Sequence, residues 1–347
     1  VWSDTDTIGN SIACQSTSLL SVGGALSAHN FCSSDNLNNE KWGYCALGSN
    51  TTGYQNAAIG YGALSNNTEG NLNIAIGGYA LQVNTTGDSN TGIGASALGN
   101  NTTGCYNAAI GSNALYCNTT GNYNFAAGCK SLYSNTSGSN NTVIGQNALY
   151  SNTTGCHNNA MGQSALYGNT TGCYNTAIGN IALYANTTGD HNTAIGQNAL
   201  RTSLSGDHNF AAGQCALYSN WGGCCNTAIG PSALKSNTTG SYNAAIGSNA
   251  LVSNTTGTDN TAIGYVALNS NTVGNWNNAL GASALRMNTA GCHNNAIGSQ
   301  ALYFNTCGCF NNAIGDHALW CNTEGKCNNA IGNAALYNNT TGCYNQA

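Results

Sequence analysis

From Gly43 to Gly332 every seventeenth residue is glycine. That frame makes eighteen landings with no insertion or deletion. Self-similarity of this kind constrains architecture before any local propensity does. One unit reads Asn175-Thr-Ala-Ile-Gly-Asn-Ile-Ala-Leu-Tyr-Ala-Asn-Thr-Thr-Gly-Asp-His191, and its residues define positions 1 to 17. Position 1 is Asn from Asn39 to Asn345, position 9 is Leu from Leu47 to Leu336, and position 15 is Gly from Gly53 to Gly342. Position 8 is Ala apart from Ser131. Position 4 is mostly Ile, replaced by Trp42, Ala127, Met161, Ala212 and Leu280.

A unit of 17 residues cannot bury its own core, so it must be stabilised by stacking on its neighbours. It is also too short for a helix-turn-helix repeat, which needs roughly 30 residues or more. The expected fold is all-β, a β-solenoid or β-roll of about 18 rungs over residues 39–347. Strand one is expected at positions 2 to 4, ending at the Gly of position 5, and strand two at positions 7 to 10. Asn-Thr-Thr-Gly at positions 12 to 15 has turn chemistry. One helical or 3₁₀ turn, as in leucine-rich repeats, is the alternative for positions 6 to 11. Ile of position 4 and Leu of position 9 are expected to form two inward columns. Asn of position 1 is expected to form a side-chain ladder along the stack. At about 4.8 Å per rung the stack is expected to be a rod on the order of 85 Å long.

Residues 1–38 depart from the frame: Ile8-Gly9 fits it, but Leu26 stands where Gly is due. They are expected to form an irregular N-terminal cap, or an inter-protomer segment, over the first open edge. Val1 opens the chain without a signal peptide, as in a mature form or a fragment. The chain stops in mid-strand at Gln346-Ala347. Either it continues, or the bare end stacks on another protomer, and a head-to-tail contact that does not close builds a filament.

Composition narrows the class. Charged residues are 5%, the net charge is −5 and the apolar fraction is 41%, which argues against disorder and against a nucleic-acid partner. No apolar stretch is long enough to insert in a membrane. The 17 Cys lack zinc-type spacing and point to an oxidising, extracellular location, secreted or on a cell or virion surface. Their odd number suggests an intermolecular bond or a free thiol.

The strand pattern Asn-x-Ala-Ile-Gly, as in Asn107-Ala-Ala-Ile-Gly111 and Asn192-Thr-Ala-Ile-Gly196, resembles the head repeats of trimeric autotransporter adhesins. It is also similar to repeat-rich fibre proteins of phages and large viruses. The likeness covers residues 39–347. It implies a rigid extracellular β-roll, with trimerisation as one arrangement. The period of 17, the Leu column and the many Cys depart from the adhesin pattern, and no coiled-coil stalk follows.

Several columns could carry chemistry. Asn-x-Ser/Thr is the acceptor for N-linked glycans, the one covalent group expected. Position 12 offers it at Asn50, Asn84, Asn101, Asn118, Asn135, Asn152, Asn169, Asn186, Asn237, Asn254 and Asn339, and Asn66, Asn100, Asn140 and Asn338 add sequons out of register. Asn271-Thr-Val, Asn288-Thr-Ala and Asn322-Thr-Glu keep Asn-Thr while losing the acceptor, which favours a plain turn in those rungs. The Thr column can also be read as ice-binding. Position 16 holds Cys156 and Cys173, and Cys292 and Cys309, on successive rungs. A separation of about 4.8 Å suits an inter-rung disulfide staple, the alternative being a small buried hydrophobe. His157, His191, His208 and His293 occupy position 17, either as solvated turn residues or as a surface metal site. Tyr116, Tyr133, Tyr150, Tyr167, Tyr184, Tyr218, Tyr303, Trp320 and Tyr337 form an aromatic column at position 10. It is read as packing or protomer contact ahead of capture of surface glycans.

No set of titratable groups converges as catalysis requires, so no enzyme, cofactor or resident metal is expected. The functional expectation is a structural subunit of an extracellular filament or appendage, partnered by itself and decorated with sugar. The alternatives are an adhesin or viral fibre that binds a host surface, and an ice-binding protein.

Overall fold

The structure, a computed structural model, describes residues 37–347 and the backbone of Ser21–Val22 and Leu26–Ser27. Those two short strands pair antiparallel. The rest of the expected N-terminal cap, including Cys32, lies outside the described residues.

The repeat folds as a β-solenoid of 17-residue turns, with no helix among the described residues. Two compact units divide it, residues 1–157 and 158–347. In the first, seven three-residue strands run from Glu40–Trp42 to Thr142–Ile144 and pair parallel in register. In the second, eleven run from Asn159–Met161 to Asn329–Ile331 in the same way. Partners sit one repeat apart, as Thr227 with Ala244 and Ile229 with Ile246. Strand one therefore lies at positions 2 to 4, as expected.

The second expected strand does not form, nor does a helical turn. Take the rung Asn226–Tyr242. Gly230 has φ of 122°, Ser232 of 57° and Leu234 of 52°. Left-handed residues at alternate positions turn the chain at every step, which no strand or right-handed helix allows. Two tight turns result, closed by Ala233 N–H donating to the Gly230 carbonyl (3.2 Å) and Asn237 N–H to the Leu234 carbonyl (3.1 Å). Other N–H groups reach across rungs, as Leu234 N–H to the Ala250 carbonyl at 3.0 Å, so the backbone is satisfied without a second sheet.

Position 5 must be Gly for two reasons. Its φ lies in the region L side chains avoid, and a Cβ on Gly247 would come 2.5 Å from the Gly264 carbonyl oxygen.

Ile of position 4 does not point inward. Ile229 is 38% exposed, whereas Ala228, Ala233 and Leu234 are fully buried. A three-residue strand aims one side chain inward and two outward. The inward place goes to position 3, and with the Leu column already filling most of the small cross-section it holds small residues: Ala almost throughout, with Gly92 and Val143 as variants and Lys41 in the first rung, where the side chain is half-buried. The hydrophobic core is thus two Ala columns and one Leu column.

Candidate functional site

Two asparagine ladders flank that core. At position 1, Asn226 Nδ2 donates to the carbonyl of Gly240 in its own rung (2.9 Å), and Asn226 Oδ1 accepts the backbone N–H of Asn243 one rung on (3.0 Å). At position 12, Asn237 Nδ2 donates to the same Gly240 carbonyl (2.8 Å) and to Asn220 Oδ1 on the preceding rung (2.7 Å). Both ladders therefore meet on the position 15 carbonyl. Thr238 adds a third link, its Oγ1 donating to the Thr255 carbonyl at 2.9 Å, where three successive backbone N–H groups also converge.

This geometry decides what the sequon column presents. Asn84, Asn101, Asn118, Asn135, Asn152, Asn169, Asn186, Asn237 and Asn254 are fully buried. Asn50 and Asn339 are half-buried, and their Nδ2 atoms also donate to a position 15 carbonyl. Within the ladder Nδ2 spends both hydrogens, so a glycan on that nitrogen would remove a donor and open the stack. Asn271, Asn288 and Asn322 make the same bonds, which explains why Asn-Thr persists where the acceptor residue is lost. Asn66, Asn140 and Asn338, the sequons out of register, are exposed, and Asn100 is half-buried. Thr of position 13, the first of the proposed ice-facing pair, directs its hydroxyl hydrogen to a backbone carbonyl in most rungs.

Position 16 proves to be a column of acceptors. Asp190 N–H donates to Asp207 Oδ1 (2.8 Å), Cys224 N–H to Ser241 Oγ (3.1 Å), Asn275 N–H to Cys292 Sγ (3.4 Å) and Cys292 N–H to Cys309 Sγ (3.2 Å). Short side chains with a lone pair recur there because each answers the N–H of the preceding rung. The signal was legible as a restriction to Asn, Asp, Ser, Thr and Cys, broken only by Tyr54 and Lys326. Cys292 and Cys309 are thiols here. Cys156 and Cys173 fall in different units.

The position 10 aromatics are half-buried and stack on one another. Tyr116–Tyr133 and Tyr133–Tyr150 centroids lie 5.4 and 5.0 Å apart, Tyr167–Tyr184 5.1 Å and Trp320–Tyr337 5.0 Å, with interplanar angles of 15° or less. Tyr303 stacks on Trp320 at 5.9 Å. Arg201 and Arg286 lie over Tyr218 and Tyr303 and bond their hydroxyls. A ring whose face is taken by the next rung offers a ligand mainly its edge. Burial pushes the Tyr133 phenol above its ordinary range, with Cys117 and the neighbouring tyrosines adding to the shift, and burial alone raises the Cys117 thiol.

A second aromatic stack, not anticipated, runs along position 17. His191 lies between Tyr174 and His208, at 4.9 Å from each. His293 lies between Trp276 (6.1 Å) and Phe310 (4.8 Å). These histidines are thus members of a stack, and among the described residues no group of His, Cys, Asp and Glu is placed to hold a metal. No helix of the described residues is long and apolar enough to cross a membrane.

Compared with known proteins, the chain matches no family model and no curated protein.

Proposed function

We propose that this chain is a structural subunit of an extracellular filament or appendage, assembling with copies of itself and acting without catalysis. The supporting observation is where its polar side chains go. Asn of positions 1 and 12, Thr of position 13 and the acceptor of position 16 bond to the adjacent rung, so they stiffen the stack and leave few groups to converge on a substrate. Extracellular placement rests on the low charge and the heavy cysteine content. Glycans belong on the exposed Asn66, Asn140 and Asn338 rather than in the buried column. A Cys292–Cys309 staple remains part of the proposal for an oxidising environment.

Electron microscopy of the purified chain tests the reading. Long polymers of uniform width are expected. Isolated short rods that decorate host cells would instead favour an adhesin or viral fibre.

A further inference from the structure

The outward side of each strand, positions 2 and 4, carries an unexpected correlation. Phe stands at position 2 in two rungs only, as Phe125 and Phe210. Ala stands at position 4 in two rungs only, as Ala127 and Ala212. They are the same two rungs, one in each unit. Elsewhere position 2 is mostly Thr, Ala or Asn and position 4 mostly Ile. In these two rungs a large residue at one outward place is matched by a small one at the other, and in the unit 158–347 no rung carries a large residue at both places; in the first unit Glu40/Trp42 and Ile74/Ile76 do. Neither residue of the pair is in the core: Phe210 is 37% exposed and Ala212 half-buried. A surface that met only water would have no reason to conserve volume. Packed faces do, because overfilling and voids both cost free energy.

Other properties of this face agree. All-parallel sheets occur almost only with both faces covered. In the unit 158–347 no residue at position 2 or 4 is charged, and Ile178, Ile195, Ile246 and Ile263 remain 38–40% exposed. Eleven strands at about 4.8 Å, each about 10 Å long, give a strip of roughly 500 Å², at the upper end of what monomers leave bare. Tyr174, Tyr242, Trp276 and Phe310 at position 17 stand exposed on the flank two residues before it. With them the strip approaches the roughly 800 Å² per partner of a stable interface.

We infer that the outward face of positions 2 and 4 is covered by a second copy of this chain, packed sheet against sheet. An uncharged column repeating once per rung is matched in spacing by the same column on another copy, and such faces pack about 10 Å apart. This rests on the self-assembly reading and names its lateral surface. It does not require end-to-end growth.

Sedimentation velocity of the full chain at micromolar concentration tests it. The wild type is expected to sediment as a discrete multiple, and Ile229→Lys/Ile246→Lys as a single chain with unchanged circular dichroism. Ala212→Ile, which overfills the rung that holds Phe210, is expected to weaken association about tenfold or more. Phe210→Thr/Ala212→Ile, which restores the common pair, is expected to recover it. A wild type that stays a single chain, whatever else binds the face, overturns the inference. So does Ala212→Ile associating as tightly as wild type. Pairing without long polymers in the microscope would sink the filament reading and leave this one standing.

Discussion

Asn186 Oδ1 lacks the donor that Ser203, one rung on, is too short to supply. Ser203 is the one position 12 residue that is not Asn. Asn186 Oδ1 and Ser203 Oγ are the buried side-chain atoms left without a partner among the described residues. On the far side Asn220 Nδ2 keeps its bond to Gly223 and has no ladder bond to Ser203. Ser203→Asn is therefore expected to raise stability by about 1–2 kcal/mol by filling the gap and pairing Asn186. Urea titration reads this as a higher midpoint at constant slope. An unchanged midpoint would mean that the ladder contributes little.

Position 7 is left-handed in every described rung, yet Ile181 sits there at φ 58°. A β-branched residue pays heavily for that conformation, and Asn, which fills it at Asn198 and Asn249, tolerates it. Ile181→Asn is expected to stabilise the chain by about 1 kcal/mol. Thermal melts of the two proteins check the sign.

If Cys292 serves its rung as an acceptor, Cys292→Ser should leave stability within about 0.5 kcal/mol, while Cys292→Ala leaves the Asn275 N–H unanswered and costs about 1 kcal/mol. Should the disulfide dominate instead, both variants would lose the same amount under oxidising conditions, and neither would lose any in reductant.

Burial raises the Cys117 thiol above its ordinary value of 9.0. The folded chain then holds that proton after the unfolded chain has released it. Its contribution to stability is complete below pH 9.0 and falls away as pH rises through the folded value. Alkylation of Cys117 at pH 8 should be slower in the native protein than in urea. The decline in stability above pH 9.0 should be shallower in Cys117→Ser.

Expression through a secretory pathway should place glycans on Asn66, Asn140 and Asn338 and leave the buried Asn84 to Asn254 column bare. Glycopeptide mapping decides this. Full occupancy of Asn118 or Asn237 in folded protein would contradict the ladder, since each Nδ2 donates twice.

The sequence alone determined the period, the frame, the first strand and the Asn ladder, because each is a statement about spacing, and stacking turns identical spacing into identical contacts. It also carried the acceptor column and the Phe–Ala exchange, which become meaningful only in the folded rung. Which way each column faces was decided by tertiary structure. Hydrophobicity ranks Ile above Ala and so sends Ile229 inward. The folded rung places Ala228 there, because Leu234 already fills most of the cross-section, and the largest side chain fully buried at that position is Val143. The turn at positions 6 to 11 was hidden for a related reason. Ser232 and Leu234 adopt left-handed conformations that neither residue prefers, and the bonds to the neighbouring rungs hold them there.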